Sequence, residues 1–377
     1  MKVWNIKNLL EWTTGFFESK GIQHPRLSAE LLLGSVMKLS RMQLYLNYDY
    51  VLSPEELSKY KELIVKRAQH VPVQYILNKT HFRNLELYVD ENVMIPRPET
   101  ELVVESALSK IVEILSLKVL NLEKNPRNNL GDKARIKNET WDLTSGKVRN
   151  QSAIDNSNRD NVVNGAIGKR VDINVLEVGV GSGAISISIA QEIDERLAKE
   201  LFEKTQVMLD EIGKVIQMSE ISWNIIGTEN SSSALEIARK NASSILEEGR
   251  LRKVEFIRGD IIPDSSNFLE KYRKKINLLV SNPPYISEKD YANLPREVKD
   301  YEPKSALVGG ETGVEIYEKI IVRARSLLAE DVSYIIFEID PKVKSAVLKL
   351  LSALNPKSID VYRDYNGLDR IVVARIN

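Results

Sequence analysis

From residue 172 onward, short apolar runs alternate with stretches in which apolar positions recur every three to four residues. The first pattern marks buried strands and the second amphipathic helices. Together they predict strands near 173–178, 222–228, 253–257, 276–281, 333–338, 358–362 and 370–375. Helices are predicted over 184–193, 196–217, 231–247, 313–329 and 341–353. Such alternation is the pattern of a doubly wound α/β domain with a mostly parallel sheet. The run Arg370 to Arg375 follows its predecessor too closely for a crossover helix, so it is expected to lie antiparallel.

Upstream the pattern changes. Residues 1–78 read as a small helical domain: Leu9, Leu10, Trp12, Phe16 and Phe17 approximate one apolar face, and His24-Pro25 interrupts it. Leu31 to Met37 continues as an apolar helix. Leu52-Ser53-Pro54-Glu55-Glu56 is a helix start, with Ser53 as N-cap, proline at the first position and acids in the first turn. Residues 79–116 read as a hairpin and a connecting helix. Phe82, Leu85, Leu87, Val89, Val93 and Ile95 suggest paired strands turning at Asp90-Glu91-Asn92, and Leu102 to about Leu115 keeps helical period. Residues 117–170 lose that period. Ten Asn fall between 121 and 164, and eleven basic residues face six acidic ones. The surplus would allow weak contact with RNA, but a flexible Asn-rich insertion is the plainer reading.

Composition narrows the function classes. Lys and Arg together number 53, as do Asp and Glu, so there is no overall charge footprint for nucleic acid. The absence of Cys excludes disulfides and thiolate nucleophiles. His24, His70 and His81 are scattered, and no metal site is expected. Neither a signal-peptide core nor a bilayer-length apolar run is present, so a cytoplasmic protein without membrane attachment is expected.

Two stretches carry chemistry. The buried run Ile276 to Val280 leads into Ser281-Asn282-Pro283-Pro284-Tyr285. Two prolines stop the strand and hold Asn282 on a stiff turn at its C-terminal end, where open α/β sheets bind ligands. The Asn282 carboxamide and the Pro283 carbonyl offer two acceptors side by side, suited to a planar –NH2 group, with Tyr285 available against its face. The second stretch is Val175-Leu176-Glu177-Val178-Gly179-Val180-Gly181-Ser182-Gly183-Ala184, a strand running through a glycine turn into a helix. It also fits a dinucleotide fingerprint. Glu229 closes the next strand and Asp260 the one after. Each is equally readable as a helix N-cap, but with the glycines they outline an adenosine site in which Glu229 takes the ribose hydroxyls, Asp260 the adenine amine, and Ile261 covers the ring. Arg97, fixed between Pro96 and Pro98 and followed by Glu99, fits a routine helix start and equally the wall of a site.

These motifs resemble a class I S-adenosylmethionine-dependent methyltransferase, Rossmann-like with a seven-stranded sheet and an antiparallel last strand. Asn-Pro-Pro-Tyr is typical of members that methylate a planar nitrogen. The resemblance extends to the HemK/PrmC family through Leu52 to Leu57, Pro72-Val73-Gln74-Tyr75-Ile76-Leu77, Ile95 to Glu101, Tyr301-Glu302-Pro303-Lys304, Gly309-Gly310 and Asp364 to Arg370. It covers nearly everything except 117–170 and 196–221. It implies methyl transfer from S-adenosylmethionine to the side-chain nitrogen of the glutamine in the Gly-Gly-Gln motif of class 1 peptide chain release factors. The stretch Arg97 to Glu101 separates this family from a relative acting on a ribosomal protein glutamine.

Carried over to this chain, Gly179, Val180, Gly181, Ser182 and Gly183 would hold the methionine end of the cofactor. Glu229 would bind ribose, Asp260 and Ile261 adenine, and Asn282 would touch the cofactor as well as the substrate. Asn282, Pro283, Pro284 and Tyr285 would hold the substrate amide, with Asn282, Pro283 and Tyr285 in catalysis and Arg97 and Glu99 in the substrate wall. Residues 1–78 would recognise the release factor, 171–377 would form the catalytic domain, and the protein would act as a monomer. The family has Asp at the ribose position and other residues where this chain has Asp340 and Val343. The alternatives are a methyltransferase acting on an exocyclic base amine or on a ribosomal protein glutamine, a nicotinamide-dependent oxidoreductase, and a non-catalytic binding module.

Overall fold

The structure, a computed structural model, describes residues 4–124, 140–142, 147–149, 170–207 and 220–377. Two small ladders come first in the chain: β1 (Thr80–Phe82) with β2 (Leu85–Leu87), and β3 (Thr140–Asp142) with β4 (Lys147–Arg149), both antiparallel. The main sheet contains β5 (Arg170–Val178), β6 (Glu220–Glu229), β7 (Val254–Arg258), β8 (Leu278–Ser281), β11 (Tyr334–Glu338), β12 (Ser358–Arg363) and β13 (Asp369–Arg375). A separate two-stranded parallel ladder joins β9 (Ile286–Ser287) to β10 (Val308–Gly310). The sheet order is β12-β13-β11-β8-β5-β6-β7, and β13 is antiparallel to both neighbours, as its short connection requires.

Alternate residues along each strand enter different cores, which is why the central strands are apolar throughout. Val175, Ile225, Leu278 and Ile336 pack under the helices Glu101–Lys124, Ala184–Val207 and Ser232–Ile245. Leu176, Ile226, Leu279 and Phe337 pack under Ser266–Tyr272, Glu315–Ala324 and Lys344–Ser352. The chain starts at β5, steps to β6 and β7, then crosses back to β8 on the other side of β5. That reversal opens a crevice beyond the C-terminal ends of β5 and β8. Glu177 and Asn282 stand there because the glycine turn and the paired prolines end those two strands.

The first five helices, Ile6–Ser19, Pro25–Met37, Arg41–Leu46, Pro54–Ala68 and Val73–Leu77, enclose a core of their own around Phe17, Leu32, Leu33 and Tyr60. Ser53 caps its helix, accepting from Glu56 N while the Glu56 carboxylate accepts from Ser53 N. A second capping box, Ser40 with Gln43, starts a helix that apolar periodicity alone does not mark.

Three expectations need adjustment. The hairpin turns at Arg83-Asn84, with Arg83 at φ +50°, and not at Asp90-Glu91-Asn92. Asp90 instead accepts from Asn92 N, a local turn that needs no second strand. The connecting helix runs on to Lys124, so the loss of helical period begins later than residue 117. Ala184–Val207 is one unbroken helix across the boundary at 193–196. The remainder of the Asn-rich stretch, apart from β3, β4 and Arg170, lies outside the described residues, as does 208–219.

Candidate functional site

The crevice holds a cavity of about 1080 Å³, the solvent at its open mouth included. Its floor is the glycine turn. Gly179 and Gly181 have φ of +78° and +54°, and a Cβ on either would project into open space, so the bare backbone forms the wall. Gly179 N and Val180 N donate to the Thr228 carbonyl at 2.9 and 3.2 Å. Asn241 donates to the Ser182 carbonyl at 2.8 Å and pairs with both backbone groups of Tyr88. The turn is thereby pinned to the segment that leaves the hairpin.

Glu229 stands at the rim with both oxygens engaged: Oε2 accepts from Gly181 N at 2.9 Å and Oε1 from Ser231 N at 3.0 Å. The longer arm folds back onto the glycine turn, and a carboxylate with two acceptor bonds still has lone pairs to offer. The helix N-cap beside it is Ser231, whose side chain accepts from Ala234 N. Asp260 and Ile261 line the same cavity. Ile261 has φ +63°, a costly backbone for a β-branched residue. The Thr228 hydroxyl holds it there by donating to the Ile261 carbonyl.

Asn282, Pro283 and Pro284 form the opposite wall. Nδ2 of Asn282 donates to Thr100 Oγ1 at 3.0 Å. Among the described residues nothing donates to Asn282 Oδ1 or to the Pro283 carbonyl. The corner is braced from behind. A Cβ on Gly309 would meet the Pro284 carbonyl oxygen at 2.2 Å, and one on Gly313 the Tyr285 carbonyl oxygen at 2.2 Å, so only glycine allows β10 and its following turn to lie against the prolines. Ser281 Oγ donates to the Val178 carbonyl at 2.6 Å and ties the ends of β8 and β5 together.

The remaining proposed residues stand differently. Tyr285 is outside the cavity wall, packed against the core, with its hydroxyl 3.5 Å from Glu338 Oε1. Arg97 pairs with Glu302, and Ile95 N donates to the same carboxylate. This joins the Arg-Pro-Glu-Thr-Glu and Tyr-Glu-Pro-Lys stretches into one wall, but it is Pro96, Thr100, Pro303, Ser305 and Ala306 that reach the cavity, not Arg97 or Glu99. Asp340 caps a local turn by accepting from Lys342 N, and Val343 is buried in the core. Neither touches the cavity.

Two buried acids lie outside the site residues expected from the sequence. Glu177 lines the cavity and is fully buried; desolvation pushes it up to about 8, against two hydrogen bonds from Ser186. It was visible as the acid before the glycines. Glu338, at the end of β11, is driven up to about 7, again chiefly by burial. Its signal was only its place before the divergent Asp340. Arg370, held by Asp364 at 3.0 Å, faces Glu338 and favours its charged form.

A family model described as the PrmC N-terminal domain matches residues 8–77. Among curated proteins, the release factor glutamine methyltransferase of Chlorobaculum tepidum is 32% identical over 98% of this chain and 96% of its own length. A protein of the same name from Geobacter sulfurreducens is 27% identical over 100% of this chain and 98% of its own. Among solved structures, a methyltransferase from Pyrococcus furiosus covers 56% of this chain and 77% of its own at 14% identity and a TM-score of 0.35, a likeness too slight to argue from.

Proposed function

This chain belongs to the release factor glutamine methyltransferase family, and from that premise we propose that it methylates the side-chain nitrogen of the glutamine in the Gly-Gly-Gln motif of class 1 release factors. The observation that carries this reading is one cavity walled on one side by the glycine turn and strand-end acids and on the other by the Asn282-Pro283 corner. The methyl donor is S-adenosylmethionine. The residues fit it: bare glycine backbone, a rim carboxylate at Glu229, a second acid at Asp260, and the apolar face of Ile261. Gly179 to Gly183 would hold its methionine end, Glu229 its ribose, and Asp260 with Ile261 its adenine. When bound, it supplies a methyl carbon activated by a sulfonium leaving group.

An amide nitrogen is a weak nucleophile because its lone pair is delocalised into the carbonyl, the resonance that also stiffens peptide bonds. Positioning is therefore the protein's main task, and good positioning contributes on the order of 7–11 kcal/mol. Asn282 Oδ1 and the Pro283 carbonyl would each accept one amide hydrogen, fixing the plane of the –NH2 group. The same two dipoles stabilise the positive charge that grows on nitrogen in the transition state. Tyr285 contributes through Glu338 and the wall behind the corner, and Arg97 through its pairing with Glu302, while Glu99 stands on the same turn. The helical region 1–78 would supply recognition of the release factor, with the protein acting as a monomer in the cytoplasm. Among the described residues no helix is long and apolar enough to cross a membrane.

The test offers the purified protein labelled S-adenosylmethionine with a class 1 release factor, RNA or a ribosomal protein. Label is expected in the release factor alone. Label in RNA or ribosomal protein, with none in release factor, would overturn the reading.

A further inference from the structure

Beyond Gly259, whose N–H donates to the Glu229 carbonyl at 2.9 Å, the chain leaves the β6–β7 ladder and turns into the cavity wall. The next three carbonyls, of Asp260, Ile261 and Ile262, have no ladder partner, and among the described residues no backbone N–H donates to any of them. A backbone carbonyl that leaves a ladder needs another donor. Here side chains supply it to each. Thr228, at the end of β6, donates to the Ile261 carbonyl. Nη1 of Arg323 donates to the Asp260 carbonyl at 2.6 Å and to the Ile262 carbonyl at 3.2 Å. Nη2 of Arg323 lies 3.4 Å from the exposed Asp264 carboxylate. Arg323 belongs to the last turn of the helix Glu315–Ala324. Ile316 and Ile320, on the same helical face by their spacing, line the cavity.

We propose, resting on the adenine assignment above, that Arg323 is a cofactor-positioning residue: its guanidinium clamps the Asp260 and Ile262 carbonyls and so aims the Asp260 carboxylate at the adenine amine. The two strand-end acids are held differently. Both oxygens of Glu229 accept from backbone N–H groups. Asp260 is exposed, and among the described residues nothing bonds its carboxylate. Its direction is therefore set by its own backbone, and that backbone is fixed from outside the loop. One guanidinium nitrogen carries two hydrogens, enough for both carbonyls at once. It draws the carbonyls of Asp260 and Ile262 toward the helix, while Thr228 draws the one between them toward β6. These opposed pulls keep Ile261 at φ +63°, the conformation in which it and Asp260 both line the cavity.

Arg323 itself does not reach the cavity wall. Its influence on the ligand passes through the loop it holds, and the strongest part of that influence is one hydrogen bond from an exocyclic amine to a carboxylate. A purine without the amine has no such bond to lose. The clamp therefore acts on ligands according to whether they carry the amine, whereas a general loosening of the fold weakens all of them alike. The Asn282-Pro283 corner stands on the opposite wall, so turnover at saturating cofactor is untouched. A lysine at position 323 keeps a charge with several donors but lacks the second nitrogen that rests on Asp264, so it restores the clamp in part.

The experiment measures, by calorimetry, binding of S-adenosylhomocysteine and of its analogue with hydrogen in place of the adenine amine to wild type, Arg323→Met, Arg323→Lys and Asp260→Ala. Methylation of a class 1 release factor is followed in parallel. Wild type should prefer the amine-bearing ligand on the order of 10-fold. Arg323→Met should lose about that factor for S-adenosylhomocysteine and much less for the analogue, with Arg323→Lys between. KM for S-adenosylmethionine should rise in step while kcat at saturating cofactor stays nearly constant. Wild-type affinity in Arg323→Met would mean that the loop holds itself. An equal loss for both ligands would mean that the arginine only supports the fold. Either result overturns the clamp, and the adenine assignment stands if Asp260→Ala loses affinity for S-adenosylhomocysteine alone. If wild type and Asp260→Ala bind both ligands alike, the assignment and the clamp fall together.

Discussion

Asn282 concentrates the chemistry because it leaves a strand where nothing else competes for its oxygen. Replacing it with alanine removes one of two substrate acceptors but no cofactor contact from the glycine turn. Asn282→Ala should lower kcat on the order of 10²–10³-fold with little change in S-adenosylmethionine affinity, measured by calorimetry beside turnover. Glu177 gives a prediction of the opposite kind, visible without substrate. Its carboxyl holds a proton to about pH 8 in the folded chain, while the ordinary value is 4.5. Between those values the folded state binds the extra proton, so Glu177 makes stability fall as pH rises, by at most about 1.4 kcal/mol per unit. Urea midpoints of cofactor-free wild type should fall more steeply over that window than those of Glu177→Gln. Parallel curves would show that Glu177 is not held protonated.

At the scale of elements, the corner is only as rigid as the ladder behind it. Gly313 has φ +82° and no room for a side chain against the Tyr285 carbonyl. Gly313→Ala should cost about 1 kcal/mol or more of stability and shift the proline corner, lowering kcat more than cofactor affinity. Equal losses in both would mean that the change unfolds more than the corner. Much at this scale was legible in advance. The strands of the main sheet, the antiparallel β13, the Ser53 cap and the proline-stopped end of β8 follow from period, turn residues and connection length, though that end is half-buried in the cavity wall and not exposed. The hairpin turn did not, because Asp90-Glu91-Asn92 carries better turn chemistry than Arg83-Asn84, and pairing is decided by partners that a local window does not contain. Nor did the site's buried acids: Glu338 stands beside Tyr285, 53 positions earlier, only because β11 lies beside β8. The places of Arg97 and Tyr285 outside the cavity wall are likewise matters of tertiary packing.

At the scale of the whole molecule, the segment after the proline corner links the helical region to the site. Arg67, 3% exposed, pairs with Glu297 at 2.8 Å, and Tyr301 donates to the Gln69 carbonyl at 2.7 Å. The same segment carries Glu302, which holds Arg97 and Ile95. Release-factor recognition by residues 1–78 would thus be coupled to the cavity wall through a few polar contacts. Arg67→Ala leaves Glu297 without its cation and should destabilise the chain by about 3 kcal/mol, read from the urea midpoint. It should also raise KM for release factor more than it changes cofactor affinity. The account as a whole rests on two lone pairs at one proline-stiffened corner receiving a glutamine amide. The most direct measurement is tandem mass spectrometry of release factor after reaction with S-adenosylmethionine and either wild type or Asn282→Ala. The account predicts one methyl on the Gly-Gly-Gln glutamine with wild type and almost none with the variant. Equal methylation by both proteins, or a methyl on any other residue, would contradict it.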